Sequence, residues 1–146
     1  MPAHFRTLTR DEADAILQRN TVGRIAFTFK DRVDIQPIHY VYDAGWIYGR
    51  TSDGAKLATL THSRWLAFEV DEVRGTFDWT SVVVQGAFYV IDLAARSSDD
   101  AVSAHAIELL ATIVPEIMSA DDPVAFRTVL FRISVDSVTG RSATPV

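Results

Sequence analysis

The chain has 146 residues, of which 48% are hydrophobic and 23% charged, and it carries no cysteine. That length suits one domain, and the missing cysteine excludes a disulfide framework, a thiol nucleophile and a thiolate metal site. The net charge of −5 has the wrong sign for a protein held to nucleic acid by phosphate neutralisation. No apolar run approaches the ~20 residues of a membrane span, and the first residues lack the apolar stretch of a secretory signal. The expectation is one soluble cytoplasmic domain, residues 1–146, with neither nucleic acid nor membrane as partner.

In chain order, Thr9 and Glu12 have the spacing of a capping box. Ala15, Ile16 and Leu17 follow among charged residues, which predicts an amphipathic helix over Arg10 to Arg19. Val22 to Phe29 is rich in branched and aromatic residues and reads as a strand, closed by the polar turn Lys30-Asp31-Arg32. A second strand runs from Val33 to Val41 and is interrupted by Pro37, which cannot donate to a ladder. Asp43-Ala44-Gly45 then turns the chain into Trp46-Ile47-Tyr48-Gly49-Arg50. Three strands with tight polar turns predict an antiparallel meander.

A short helix is expected at Lys56 to Leu60, a strand from Arg64 to Asp71, and a loop from Glu72 to Asp78. Thr80 to Asp92 is the longest predicted strand, and both of its faces are largely apolar. That pattern implies a closed barrel with a helix or a second subunit packed outside it. Ser97-Ser98-Asp99-Asp100 should cap a long helix whose buried stripe runs from Val102 to Val114. Asp122-Pro123 suggests a single turn, and Phe126 to Val135 a final strand; the polar tail from Thr139 carries no pattern. About six antiparallel strands with two or three helices make a small, mainly β, α+β barrel.

Few residues announce chemistry. His4, His39, His62 and His105 lack the spacing of metal ligands, so no metal site is expected, and no serine sits in a nucleophile elbow. The segment Arg50-Thr51-Ser52-Asp53-Gly54-Ala55-Lys56 leaves a strand, turns at a glycine and enters a helix. It offers a guanidinium, two hydroxyls, an ammonium and free backbone N–H groups, the components of an anion site for a phosphate monoester. Spacing alone favours the plainer alternative, in which Ser52 or Asp53 caps the helix and Lys56 is solvated. Two further clusters stand out. Trp79-Thr80-Ser81-Val82 places an aromatic at a strand entrance, with Gly86 marking a bulge or a close backbone approach. Gln36-Pro37-Ile38-His39-Tyr40 places two rings beside a proline.

Taken together, these clusters resemble the flavin-binding split-barrel superfamily related to pyridoxamine 5′-phosphate oxidase, and most closely its nitroimidazole-reductase-like branch. The likeness rests on Val22-Gly23-Arg24-Ile25-Ala26-Phe27, Pro37-x-x-Tyr40, Gly45-Trp46-Ile47-Tyr48 and Thr51-Ser52-x-Gly54-x-Lys56-Leu57. Phe68-Glu69-Val70-Asp71, Trp79 to Gly86, Phe131-Arg132-Ile133 and Thr139-Gly140-Arg141 complete it. The resemblance implies a six-stranded antiparallel split β-barrel with flanking helices, a homodimer, and FMN in a groove at the subunit interface. Arg50, Thr51, Ser52 and Lys56 would hold the phosphate. Pro37, His39 and Tyr40 would lie along the ring or ribityl chain, and Trp79, Ser81 and Val82 would border the isoalloxazine, some of them from the partner chain. Related branches place FAD, a deazaflavin coenzyme or haem in the same groove. Nothing after Arg141 resembles the substrate-binding end of the oxidase, so oxidation of vitamin B6 is not expected. The implied activity is a flavin-dependent oxidoreductase acting on small planar electron-poor molecules, with His39 the candidate catalytic residue; the alternative is a carrier or sensor with little turnover.

Overall fold

The computed structural model of the chain describes residues 2–92 and 99–146. The element order is β1 (Ala3–Thr7), α1 (Arg10–Arg19), β2 (Val22–Phe29), β3 (Arg32–His39), β4 (Val41–Asp43), β5 (Trp46–Thr51), α2 (Ala55–His62), β6 (Trp65–Gly75), β7 (Asp78–Ile91), α3 (Asp99–Leu110), β8 (Val129–Ser134) and β9 (Ser137–Pro145). The predicted α+β, mainly β architecture holds, with nine strands among the described residues where about six were expected. The extra strands come from β1, from the patternless tail that forms β9, and from one expected strand that divides in two. α1 matches the predicted span, and its capping box is formed: Glu12 N–H donates to Thr9 Oγ1 at 3.2 Å and Thr9 N–H to Glu12 Oε1 at 2.9 Å. Ser97 and Ser98, expected to cap α3, lie outside the described residues, and α3 ends at Leu110 rather than Val114.

Every strand pairing is antiparallel, in the order β3-β2-β6-β7-β8-β5-β4, with β9 joining β7 and β1 joining β9. The predicted meander does not form. The stretch from Val33 to Val41 breaks at Tyr40, so that β3 pairs with β2 while β4 pairs with β5 in the other half of the sheet. Tyr40 is the pivot of that crossing: its N–H donates to Thr21 O at 2.9 Å and its buried hydroxyl to Leu17 O at 2.7 Å. β3 and β4 are consecutive in the chain yet form the two unpaired ends of the strand order. The barrel is therefore split there instead of closed.

The 14-residue β7 spans both halves, pairing β6 and β9 along its first part and β8 along its last. At the changeover sits Gly86, where an added Cβ would lie 1.7 Å from the Ser134 carbonyl oxygen. Only glycine allows the two backbones to come that close. Val82, Val84 and Phe88 on the inner side of β7 pack with Phe68, Ile47, Phe131 and Leu17 in the main core. A second core, built on Tyr48, Ile91, Ala106, Leu110 and Leu130, seats α3 against the opposite half.

Among the described residues no helix packs over the outward side of β3, β6 and the first part of β7. Register places Ile35, Ala26, Ala67 and Gln85 in one cross-strand row. Val33, Ile35 and Trp65 on this face are 81%, 64% and 72% exposed.

Candidate functional site

The split between β3 and β5 opens into a cleft of about 390 Å³, within the size range of small-molecule sites. Six of the ten residues expected to touch a cofactor line it: Pro37 and His39 from β3, Arg50 and Thr51 from β5, Ser52 beyond it and Lys56 from α2. Ile25, Phe27, Leu57 and Phe131 provide apolar wall opposite these polar groups. Residues far apart in sequence meet here because the chain changes halves at Tyr40, which brings β3 and β5 to either side of one opening.

The other four expected residues are elsewhere in the protomer. Tyr40 and Val82 have no exposed surface, so their side chains serve the core and offer nothing to a ligand. That corrects their expected place beside the ring: Tyr40 points inward to reach Leu17, and Val82 lies on the core side of β7. Trp79 and Ser81 fall on the opposite, outward side of β7. The Trp79 ring lies 6.3 Å from that of Phe5, and Ser81 donates to Glu69 at 3.3 Å beside Arg24, which pairs with Glu69 at 3.0 Å.

The cations of the cleft are not equivalent. Arg50 gives both terminal nitrogens to Asp122, at 2.6 and 2.7 Å, with the two side chains 7% and 2% exposed. Asp122 also accepts N–H donors from Met118 at 2.9 Å and Val124 at 3.0 Å. These donors, with the guanidinium foremost, hold its carboxyl far below the usual carboxylate range. Arg50 is thus a compensated charge in the wall. Lys56 reaches Asp34 at 2.7 Å and lowers that carboxyl's pKa, but both side chains are partly exposed and the ammonium can swing. Arg127, which sequence reasoning placed in a strand, lies instead in the turns before β8; it lines the cleft and pairs with no carboxylate among the described residues. No local signal marked it, because its place depends on the packing of those turns.

The start of α2 fits an anion. Its N-cap is Gly54, no side chain caps the first turn, and a Cβ at Gly54 would meet nothing within 4 Å. The Gly54 N–H donates to Asp53 Oδ1 at 2.9 Å, while first-turn N–H groups have no intrahelical partner, and Thr51, Ser52 and Lys56 line the cleft beside this helix start. Among the described residues no three His, Asp or Glu side chains converge as metal ligands, and no helix is long and apolar enough to cross a membrane.

A family profile described as pyridoxamine 5′-phosphate oxidase matches residues 9–142. The chain belongs to that family. Among solved structures, an FAD-binding protein of Mesorhizobium loti is 26% identical, with a TM-score of 0.77 over 99% of this chain and 100% of that one. An FAD-binding protein of Mycobacterium smegmatis, 24% identical over 94% of this chain and 98% of that one, has a TM-score of 0.67. A Bacteroides thetaiotaomicron protein with a proposed role in 5-nitroimidazole antibiotic resistance shares the fold at 14% identity, with a TM-score of 0.70 over 97% and 89% of the two chains. The pyridoxamine 5′-phosphate oxidase-like split barrel is the fold of this chain.

Proposed function

We propose that the cleft holds a flavin nucleotide and that the protein is a flavin-dependent oxidoreductase acting on small planar electron-poor molecules. One observation carries this reading: the cleft that splits the barrel joins an apolar slot to an uncapped helix start flanked by Thr51, Ser52 and Lys56. A flavin nucleotide has the matching pair of ends, a flat ring and an anionic phosphate. FMN is the flavin to which the sequence points. FAD, which the relatives from Mesorhizobium and Mycobacterium bind, carries the same flavin phosphate and would use the same cradle.

In this reading Thr51 and Ser52 donate hydroxyl hydrogen bonds to phosphate oxygens, the first-turn N–H groups of α2 add theirs, and Lys56 turns from Asp34 to neutralise charge. Pro37 and His39 border the slot from β3. Arg50 keeps the floor in place through Asp122. A bound flavin supplies hydride or single-electron transfer, and the protein supplies position and electrostatics. His39 can hydrogen-bond or deliver a proton to a substrate in the slot. No carboxylate lines the cleft among the described residues, and that absence favours, as second reading, a flavin carrier with little turnover.

The outward sheet face completes the proposal. Val33, Ile35 and Trp65 form an apolar surface of the kind that marks an interface, and Trp79 and Ser81 lie on the same side. A second copy on this face would make a cytoplasmic homodimer and bring its own Trp79 and Ser81 toward the neighbouring cleft. The test compares FMN with riboflavin, which lacks the phosphate. Ser52→Ala with Lys56→Ala weakens FMN at least tenfold more than riboflavin, a difference of about 1.4 kcal/mol. Equal weakening of both would reject the phosphate cradle. Turnover of nitroaromatic or quinone acceptors with a reduced nicotinamide donor separates the oxidoreductase from the carrier.

A further inference from the structure

Beside the cleft lies a second hollow of about 230 Å³, and His39, Arg50 and Arg127 line both. The rest of its wall is apolar: Leu110, Ile113, Val114, Pro123 and Val124, from the end of α3 and the turns that follow. A dry cavity of roughly 150 Å³ accepts benzene, so this chamber suits one substituted ring and is too small for a fused flavin with its side chain.

The chamber is built, not a gap between loose segments. Asp122 ties the turns to β5 through Arg50 and fixes them internally through the N–H groups of Met118 and Val124. Val114 N–H donates to Leu110 O and Arg127 N–H to Val124 O, each at 2.9 Å. The charge balance points one way. Arg50 is neutralised by Asp122 and Lys56 faces Asp34, whereas among the described residues the half-buried Arg127 has only the Phe126 ring, 5.6 Å from its guanidinium carbon. A guanidinium held against apolar walls without a counter-ion favours an incoming anion, and its planar fork matches a pair of oxygens.

We infer that this chamber is the substrate subsite, and that it takes a small electron-poor aromatic carboxylate. The ring packs against Leu110, Val114 and Val124, and the carboxylate oxygens accept from Arg127. This rests on the flavin reading for its role in the reaction, because the chamber opens beside the cleft assigned to the cofactor. It does not rest on it for binding.

The test is calorimetric titration of the purified protein with 4-nitrobenzoate and with its neutral isostere 4-nitrobenzamide. Wild type should prefer the carboxylate by about tenfold or more. Arg127→Gln should abolish that preference while binding of the amide changes little, and Arg127→Lys should restore part of it. Val114→Trp, which fills the chamber, should weaken both ligands. Wild type without a preference, or a preference that survives in Arg127→Gln, overturns the proposal. So does an Arg127→Gln variant that loses FMN relative to riboflavin and keeps 4-nitrobenzoate, since Arg127 would then serve the cofactor's phosphate. A wild-type protein that takes up neither FMN nor FAD yet keeps the carboxylate preference refutes the flavin reading alone.

Discussion

Arg50 and Asp122, separated by 72 residues, form a two-point ion pair that is more deeply buried than any other pair among the described residues. It links β5 to the turns after α3, and so joins the proposed cofactor cradle to the wall of the side chamber. Removing one partner strands the other charge in a dry setting, which costs far more than a surface pair is worth. Arg50→Met should therefore lower Tm by roughly 10 °C. The double variant Arg50→Met with Asp122→Leu should recover much of that loss, because no buried charge remains. Thermal melts of the three proteins decide it, and a single variant that melts like wild type would show the pair to be incidental.

Glu72 sets an acid limit on stability. It accepts from Arg19 Nε at 2.8 Å, Asn20 at 2.8 Å and Thr80 at 3.3 Å, tying the end of α1 to β6 and β7. These donors, Arg19 foremost, lower its pKa from 4.5 to about 2. Because the folded value lies below the unfolded one, the contribution is fully present above pH 4.5 and fades as the pH falls through about 2. Between those values wild type should lose Tm steadily. Glu72→Gln should be less stable at neutral pH and show a shallower slope in that window. Parallel slopes for the two proteins would assign the acid sensitivity to other groups.

Gly86 and Gly54 make an internal comparison. Gly86→Ala would drive a Cβ into the Ser134 carbonyl, 1.7 Å away, whereas a Cβ at Gly54 meets nothing within 4 Å. The first substitution should abolish soluble folded protein, and the second should leave circular dichroism and Tm close to wild type. A well-folded Gly86→Ala protein would mean that β7 can change halves without this contact.

The same comparison shows how far the sequence could be read. Features set by neighbours in the chain were legible: the Thr9–Glu12 cap, the helix over Arg10–Arg19 and the break after Arg50, while Gly86 stood out as a bulge or a close approach and proved to be the latter. Features set by distant pairing were not. Nothing local shows that β5 pairs with β8, so Val33 to Val41 read as one strand of a meander. Its break at Tyr40 put a ring expected beside a ligand into the core. β9 escaped because its inward positions, Gly140 and Ser142, are small, and the former packs under Leu8. Arg127 escaped because the alternation from Phe126 onward suits a strand, while the chain delays β8 until Val129.

The exposed sheet face predicts self-association. Ile35 lies on the β3 edge of it, next to Ala26 on β2, and a charge there would be buried by a partner copy but harmless in a monomer. Wild type should sediment as a dimer and Ile35→Asp as a folded monomer with weakened flavin binding. A wild-type monomer at micromolar concentration that still binds flavin would remove the second subunit from the site.

The central claim is that the split in the barrel is a flavin nucleotide site. Its most direct test is the visible absorption spectrum of the purified protein, with mass spectrometry of whatever small molecule is released on denaturation. A flavin site gives a yellow protein, or a colourless one that turns yellow on titration with FMN or FAD, releasing that nucleotide in one-to-one proportion to the chain. A protein that takes up neither flavin, or one dominated by a haem Soret band, would contradict it.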